Sequence, residues 1–438
     1  MSSASPQSQD ARIEPLDDVE VSRLRADFPI LERRVNDSAL VYLDSGATSQ
    51  KPTCVYEAEQ HYYESYNAAV HRGAHSLSVE ATDVFEQARA TVAGFIGAGE
   101  NELVWTSNAT EALNLITYSF ANASAGLGGE AARRFALGPG DEIVVTELEH
   151  HANLIPWQEL AFRTGATLKY IPVDEHGVLR MDIAEQIVSP RTRVLAFTHV
   201  SNVLGTVTDV PKMVSLARTV GALTVLDGCQ SVPHLPVDVK ALDVDFMAFS
   251  GHKMLGPTGI GGLYGRSELL DAMPPFLTGG SMITSVTMEK AEFLPAPMRF
   301  EAGTQRIAQA HGLATAVSYL QEVGMERVAA WEEHLGERML VGLQQIPGVR
   351  LLGPARGVAR IGVAPFAVEG VHPHDVGQFL DARGIEVRVG HHCAQPLHRA
   401  LGVNSSTRAS TYIYNTTSDI DALLNAVADV QGYFGVGK

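Results

Sequence analysis

Residues 227–262 read DGCQSVPHLPVDVKALDVDFMAFSGHKMLGPTGIGG, and this stretch decides the fold. An apolar run at 222–226 ends in Asp227, and a second apolar run at 245–249 is followed by Ser-Gly-His-Lys, which places Lys253 just beyond a strand. Open α/β sheets place ligands at the carboxyl ends of their strands. We therefore expect the carboxylate of Asp227 and the amine of Lys253 to face one cleft.

The chain on both sides of this stretch alternates strand-like and helical patterns. Apolar runs predict strands at 102–106, 142–146, 167–172, 194–199, 222–227 and 245–249. Amphipathic spacing predicts helices that begin near Thr110, Asn153, Asp182 and Pro211. This alternation is typical of a doubly wound α/β sheet. A second, smaller domain is predicted from helical patterns after residue 309, strands at 349–352 and 359–364, and a closing helix at 419–433.

Three segments interrupt the alternation. Residues 1–14 are rich in serine, glutamine and alanine, which predicts a mobile tail. Residues 121–140 are rich in small residues and predict a loop insertion with one helical turn. Residues 273–297 are rich in proline and glycine and predict either a hairpin excursion or an interface loop.

Composition excludes several classes of function. Of the 438 residues, 45% are hydrophobic and 19% are charged, which is ordinary for a globular protein. The 33 basic and 50 acidic residues give a net charge of −17, which would repel nucleic acid and anionic membranes. No apolar run approaches the ~18 residues of a membrane span, and no secretion signal is recognisable, so we expect a cytoplasmic protein that binds no membrane. Three scattered cysteines, Cys54, Cys229 and Cys393, are too few for a disulfide framework and favour a reducing compartment.

A carboxylate and an amine in one cleft are the two groups that pyridoxal phosphate needs from a protein. Asp227 can pair with the pyridinium nitrogen, and Lys253 can hold the cofactor as a Schiff base. Taken singly, Asp227 could be a turn carboxylate and Lys253 a solvated surface lysine. The run Ser-Gly-His-Lys followed by Gly-Pro-Thr-Gly-Ile-Gly-Gly favours the cofactor interpretation.

Two further motifs follow predicted strands. Asn108 and Glu111 have capping-box spacing at a helix start, where free N–H groups suit a phosphate, although a plain N-cap is the alternative. The adjacent His150 and His151 could be metal ligands, but no His-Glu-x-x-His motif supports a zinc hydrolase.

Cys393 is the third candidate for chemistry. It lies in a loop bracketed by a glycine and a proline, where His391, His392 and Arg388 could favour the thiolate form. A zinc site from His-His-Cys is the rival, but contiguous residues cannot all converge on one tetrahedral ion.

With these motifs the chain resembles the class V aminotransferases, which have the pyridoxal-phosphate-dependent transferase fold of type I. The Cys393 loop makes it similar to cysteine desulfurases of the SufS type (group II), which supply sulfur for iron–sulfur cluster assembly. The resemblance runs from VYLDSGATSQKP at residue 41 to the last helix and omits the tail and the 121–140 insertion. It implies an α/β fold with a mixed, mostly parallel seven-stranded sheet flanked by helices, together with a smaller α+β domain.

The resemblance also implies how the chain is divided and assembled. A large cofactor-binding domain covers 41–305, and a small domain, formed by 15–40 and 306–438, carries the nucleophile loop. The segment that ends at Thr304 corresponds to one that reaches the cofactor phosphate of the neighbouring subunit, which implies a homodimer with composite sites.

Residue roles follow from the same resemblance. The implied catalytic residues are Cys393 as the persulfide-forming nucleophile, Lys253, and His150 stacked on the cofactor ring. The implied cofactor-binding residues are Lys253, Asp227, Gln230, Asn202, Ala109, Thr110, Ser250, His252, His150 and Thr304. The implied substrate-binding residues are Arg408, Arg388 and His75. No metal site is implied, and Cys54 and Cys229 are interpreted as packing residues. For Asn202 and Gln230 the alternative is a satisfied buried amide, and for Arg408 it is a structural ion pair.

The expected reaction converts L-cysteine to L-alanine and leaves a persulfide on Cys393, which passes to an acceptor protein of the SufU or SufE type. The GHHCAQPL motif and the segment VHPHD at 371–375 resemble the type that works with a zinc-bearing SufU scaffold. His374 would then be a candidate contact for the zinc ion, with an ordinary surface histidine as the equal alternative. A selenocysteine lyase is the nearest alternative function. A regulatory protein that only binds the cofactor and a metal hydrolase are more distant ones.

Overall fold

The computed structural model describes residues 15–354 and 357–436, so the tail predicted at 1–14 lies outside the described residues. The helices are α1 (Asp18–Arg25), α2 (Thr53–Ser65), α3 (Ser76–Phe95), α4 (Ala109–Ser124), α5 (Gly129–Ala132), α6 (Ile155–Thr164), α7 (Met181–Ile187), α8 (Val210–Val220), α9 (Val239–Leu242), α10 (Ser267–Ala272), α11 (Ile307–Val323), α12 (Met325–Gln345), α13 (Pro373–Asp381), α14 (Gln395–Ala400) and α15 (Thr417–Phe434).

The strands group into one large sheet and several smaller ones. They are β1 (Arg34–Val35), β2 (Ser38–Ala39), β3 (Val41–Tyr42), β4 (Leu103–Thr106), β5 (Glu142–Thr146), β6 (Thr167–Ile171), β7 (Thr192–Thr198), β8 (Leu223–Asp227), β9 (Phe246–Ser250), β10 (Gly261–Gly265), β11 (Ile283–Val286), β12 (Ala291–Phe293), β13 (Val349–Leu351), β14 (Val363–Val368), β15 (Ile385–Glu386), β16 (Arg388–Gly390) and β17 (Ser406–Ser410).

The large sheet has seven strands in the order β4-β10-β9-β8-β7-β5-β6. Strands β5 to β9 pair in parallel, and β10 runs antiparallel to both of its neighbours. This is the mixed, mostly parallel α/β sheet that the sequence predicted. Strands β4 to β9 occupy the six predicted strand positions within two residues at each end.

Both faces of this sheet are covered. Consecutive residues of one strand belong to different hydrophobic clusters: Val144 to the cluster that contains α3, α8 and α11 side chains, and Val145 to the one that contains α4 and α6 side chains. Phe246 and Met247 divide in the same way. Successive side chains of a strand point to opposite faces of the sheet, and helices cover both faces. Side chains on both faces are therefore apolar, and the strands appear in the sequence as continuous apolar runs.

Strand β10 was not predicted, because its glycines resemble a loop. At Gly261 a Cβ atom would lie 2.6 Å from the carbonyl oxygen of Phe249 and 2.8 Å from the Cα atom of Asn108. Glycine therefore lets β10 pair with β9 while the loop before α4 crosses closely above it.

The second sheet is antiparallel, in the order β13-β14-β17-β16, and β3 pairs in parallel with β15 beside it. The strand predicted at 359–364 is wrong by four residues, since β14 begins at Val363. Residues before β14 bond elsewhere: Ala359 accepts from the Val207 amide, and the Ile361 amide donates to the Gly205 carbonyl.

Two of the interrupting segments are now defined. The loop predicted at 121–140 is shorter than expected, because α4 continues to Ser124 and the rings of Phe120 and Phe135 stack 5.0 Å apart. The hairpin option for 273–297 is confirmed by the antiparallel pair β11 and β12. Within the described ranges, no helix is long and apolar enough to cross a membrane.

The division into domains remains a proposal, and packing adjusts its boundary. Helix α11 packs against α2 and α3, so it lies with the helices of the large sheet. We propose that the second unit begins after α11 rather than at residue 306. Residues 41–44 join it as well, since β3 pairs with β15 and Asp44 bridges to Ser410.

Candidate active site

Several strand ends of the large sheet open into a cavity of about 530 Å³ that the Cys393 loop also lines. Most of the side chains singled out in the sequence line it: Ala109, Thr110, His150, Asn202, Asp227, Gln230, Ser250, His252, Lys253, Arg388, Cys393 and Arg408. The structure thus brings together residues that are separated by almost 300 positions in the chain.

Asp227 is the last residue of β8 and is only 4% exposed. Its Oδ1 accepts a hydrogen bond from the Cys229 amide at 2.9 Å, and its backbone carbonyl accepts from the His199 amide. The Asp227 carboxylate is therefore fixed at the carboxyl end of a central strand, where it can face the nitrogen of an aromatic ring.

Lys253 ends the single 3₁₀ turn that follows β9. The carbonyl oxygen of the preceding His252 is the anchor of this turn: it accepts from Thr48 Oγ1 at 3.0 Å and from Lys51 Nζ at 2.9 Å. Burial lowers the pKa of Lys51 to about 8. Sequence reasoning missed Lys51, although it lies in the quoted VYLDSGATSQKP motif.

The start of α4 forms a cradle for an anion. Asn108 caps the helix, accepting from the Glu111 amide at 3.0 Å, as the spacing predicted. Ser250 Oγ accepts from the Ala109 amide at 2.9 Å, which links this helix end to β9. Free N–H groups and the positive end of a helix of this length suit a phosphate.

Four buried polar atoms at the cavity lack a hydrogen-bond partner among the described residues: Asn202 Oδ1, Gln230 Oε1, His392 Nδ1 and Arg408 Nε. The amide nitrogens of Asn202 and Gln230 donate to the carbonyls of His392 and Gly46 at 2.6 and 2.7 Å. Each amide is thus half satisfied. A buried polar atom without a partner costs about 1–3 kcal/mol, so these atoms indicate that a polar ligand completes the site.

His150 follows β5 and lines the cavity. Its Nδ1 accepts from the Ala152 amide at 3.0 Å. Burial and the nearby charge of Lys253 lower the pKa of His150 to about 4, so the ring is neutral near pH 7 with its proton on Nε2. Next to it, burial raises the pKa of Glu149 to about 8.

Asp44 joins the two arginines and was also missed by sequence reasoning. Its Oδ2 lies 2.7 Å from Arg388 Nη2, and its Oδ1 lies 3.4 Å from Arg408 Nη2. Arg408 is buried and also donates to the Asn202 carbonyl at 2.7 Å, whereas the Arg388 side chain is 48% exposed. Two guanidinium groups therefore share one carboxylate beside the cavity.

Cys393 is exposed and has a positive φ of 55°. Its carbonyl accepts from the His151 amide at 2.7 Å. The expectation that His392 favours the thiolate by its charge is wrong, because burial lowers the pKa of His392 to about 2 and the ring stays neutral. The positive charges that interact with Cys393 are those of Arg388 and Arg408.

The sequence pattern of the family described as aminotransferase class V matches residues 41–423. The chain belongs to this family. Class V aminotransferases use pyridoxal phosphate, which confirms the cofactor class that the sequence predicted, and the seven-stranded sheet confirms the predicted fold.

Several known proteins are similar to this chain over almost its full length. A "probable cysteine desulfurase 2" of Mycobacterium leprae is 53% identical over 423 residues, which cover 96% of this chain and 98% of the relative. The apo structure of a cysteine desulfurase from Thermococcus onnurineus has a TM-score of 0.87 and 39% identity, and the match covers 94% of this chain and 98% of that one. The structure of an Escherichia coli cysteine desulfurase has a TM-score of 0.84 and 38% identity, with the same coverage.

Three residues to which the sequence analysis gave a role, His75, Thr304 and His374, are not among those that line the cavity. His75 caps α3, accepting from the Ser78 amide at 3.3 Å, and its side chain is exposed. Thr304 is exposed in the segment before α11. His374 is exposed in the first turn of α13.

The other two cysteines occupy different settings. Cys229 lines the cavity beside Ser250 Oγ at 3.7 Å, and burial together with Asp227 raises the pKa of its thiol to about 12. Burial also raises the pKa of Cys54, on α2. Both thiols therefore remain protonated near pH 7, which suits packing rather than nucleophilic attack.

Proposed function

We propose that this member of the class V aminotransferase family is a cysteine desulfurase of the SufS type. It converts L-cysteine to L-alanine, forms a persulfide on Cys393 and passes the sulfur on for iron–sulfur cluster assembly. One observation carries the proposal: an exposed thiol, Cys393, lines the same cavity as the carboxylate–amine pair Asp227 and Lys253. The names of the M. leprae, T. onnurineus and E. coli relatives support it.

The cofactor site is proposed from the same cavity. Ala109, Thr110, Ser250 and His252 would hold the phosphate of pyridoxal phosphate, and Asn202 and Gln230 its phenolic oxygen. When bound, the cofactor stabilises the electrons released at the α-carbon of the substrate. Asp227 would orient the ring and stabilise a protonated ring nitrogen, and Lys253 would attach the cofactor to the protein.

Substrate binding and proton transfer fall to three side chains. Arg408 binds the α-carboxylate of cysteine through its unpartnered Nε and adjoining Nη2, a planar fork that matches a carboxylate. Lys253 Nζ removes the α-proton of the substrate. His150 lines the cavity and keeps its proton on Nε2, so this ring could donate to a leaving or developing group.

Cys393 supplies the nucleophile. Its Sγ bonds to the substrate sulfur while the bond between that sulfur and the β-carbon breaks, and the electron pair stays with the carbon skeleton. Cysteine plus the Cys393 thiol thus becomes alanine plus the Cys393 persulfide, and no external oxidant or reductant is needed. Arg388 and Arg408 line the same cavity and bring positive charge to the nucleophile.

The proposals on oligomeric state and sulfur acceptor concern predicted residues that do not line the cavity. The exposed Thr304 would complete the phosphate site of a second copy, which makes the active enzyme a homodimer with composite sites, and His75 remains a candidate for substrate binding. The sulfur acceptor is proposed to be of the SufU or SufE type, with His374 as a contact for a SufU-bound zinc ion. In that case His374→Ala abolishes stimulation of turnover by SufU, and unchanged stimulation would remove the contact.

The test is Cys393→Ser in the cofactor-loaded protein. We expect the visible absorbance of the bound cofactor to persist, while alanine release from L-cysteine and sulfur transfer to an acceptor are lost. The matched control is Cys54→Ser, which should behave as the wild-type protein. Persulfide delivery by the Cys393→Ser protein would reject the proposal, and a turnover on L-selenocysteine that far exceeds that on L-cysteine would indicate a selenocysteine lyase instead.

A further inference from the structure

Three buried side chains form a continuous chain beneath Cys393. His392 Nε2 lies 2.9 Å from Ser406 Oγ, and His398 Nε2 lies 3.0 Å from the same oxygen. Ser406 and His398 are fully buried, and His392 is 8% exposed. One buried serine hydroxyl therefore joins two histidine rings.

The protons of this chain can be assigned from its geometry. His398 Nδ1 lies 3.0 Å from the Ala394 carbonyl oxygen, which only accepts, so Nδ1 carries a proton. Burial lowers the pKa of His398, so the ring is neutral and its Nε2 is a lone pair. Ser406 must then donate its single proton to His398. The same Ser406 oxygen therefore accepts, and His392 is protonated on Nε2.

The backbone above this chain needs support. His392 and Cys393 have φ values of 50° and 55°, a left-handed conformation that costs a residue with a Cβ atom about 1 kcal/mol or more. Asn202 and His151 hold the carbonyls of His392 and Cys393, and His398 holds the carbonyl of Ala394. The His392 side chain, fixed by Ser406, supplies a further anchor.

We propose that Ser406 and His398 are positioning residues for the nucleophile. By fixing His392 in its Nε2-protonated form and holding the Ala394 carbonyl, they maintain the left-handed turn that presents Cys393 to the substrate. The proposal rests on the role of Cys393 proposed above. Neither Ser406 nor His398 is among the residues that line the cavity, so both act through the loop.

The experiment compares Ser406→Ala with two controls in the cofactor-loaded enzyme. Ser406→Thr keeps the hydroxyl and should retain most of the activity. Ser405→Ala removes a neighbouring, half-buried serine and should match the wild-type protein. For Ser406→Ala we expect kcat for alanine release to fall about tenfold or more, while KM for L-cysteine and the cofactor absorbance stay unchanged.

A second readout follows Cys393 directly. We expect iodoacetamide to alkylate Cys393 about threefold or more slowly in Ser406→Ala, measured by mass spectrometry against Cys54 in the same protein, because the thiol leaves the exposed position that the left-handed turn gives it. If Ser406→Ala does not fold, His398→Met removes the His398 bonds to Ser406 and to the Ala394 carbonyl at similar volume and should show the same two effects.

Three results would overturn the inference: wild-type kcat and alkylation in the variants, a loss that Ser406→Thr does not restore, or a rise in KM that equals the fall in kcat. These results differ from a failure of the proposed function. In that case the wild-type enzyme itself releases no alanine from L-cysteine, or Cys393→Ser still delivers persulfide.

Discussion

The two walls of the cavity are built differently. The cofactor wall, defined here as Asp227, Lys253 and the residues next to them, stands on the ends of β8 and β9. Each of these strands is paired on both sides within the large sheet, which fixes its position. The Cys393 wall, defined as Arg388, His392, Cys393 and Arg408, combines strand residues with a loop in left-handed conformation. A rigid wall suits a cofactor that stays in place, whereas a loop can present a thiol to the substrate and then to an acceptor.

The largest effect is expected at the cofactor wall. Lys253→Ala removes the amine that is proposed to attach the cofactor and to take the α-proton, so kcat should fall by about 10³-fold or more. The measurement is the visible spectrum of the purified protein together with alanine release. Lys51→Arg, which keeps a cation near the His252 carbonyl, is the control and should retain the spectrum. An unchanged visible band in Lys253→Ala would contradict the assignment of the attachment site.

A smaller effect should follow when the same wall is overpacked. In Gly261→Ala the new Cβ atom meets the Phe249 carbonyl and the Asn108 backbone, and relieving such overlap costs about 1–3 kcal/mol. Because the Asn108 loop opens the proposed phosphate cradle, cofactor affinity should fall by about tenfold to a hundredfold. Titration of the cofactor-free protein measures this. Gly138→Ala, which meets no atom within 4 Å, should leave the affinity unchanged.

The cofactor wall is easier to predict from the sequence than the Cys393 wall, because it stands on regular strands. Strands β4 to β9 were predicted within two residues because helices cover both sheet faces and the strands are continuous apolar runs. Strand β10 was missed because its glycines serve a close approach that only the folded chain reveals. Asp44 was missed because its partner Arg388 lies 344 positions away. The role of His392 was misjudged, since burial, not neighbouring sequence, sets its charge.

At the Cys393 wall, removal of the shared carboxylate should act on substrate binding. Asp44→Asn leaves Arg388 and Arg408 without the counter-charge that orients them, so KM for L-cysteine should rise about tenfold while kcat changes less. Steady-state kinetics on L-cysteine measure both constants. Asp37→Asn, at an exposed carboxylate, is the control. A fall in kcat at constant KM would place Asp44 with the nucleophile rather than with the substrate carboxylate.

The smallest effect concerns the stability of the cofactor wall in acid. His199 follows β7 and donates its amide to the Asp227 carbonyl, and burial lowers the pKa of its ring from 6.5 to about 4. The unfolded chain therefore binds a proton between about pH 6.5 and pH 4 that the folded chain does not, so stability is lost as the pH falls through this window.

His199→Gln removes that titration. We expect the fall in the free energy of unfolding between pH 6.5 and pH 4 to become smaller by about 1–3 kcal/mol in this variant, which is a shift of a few degrees in the pH dependence of Tm. The exposed His176→Gln should leave the slope as in the wild-type protein. Equal slopes in His199→Gln and wild type would mean that His199 is solvated or protonated in the folded protein, and acid sensitivity would then belong to the Cys393 wall, where His392 is buried in the same way.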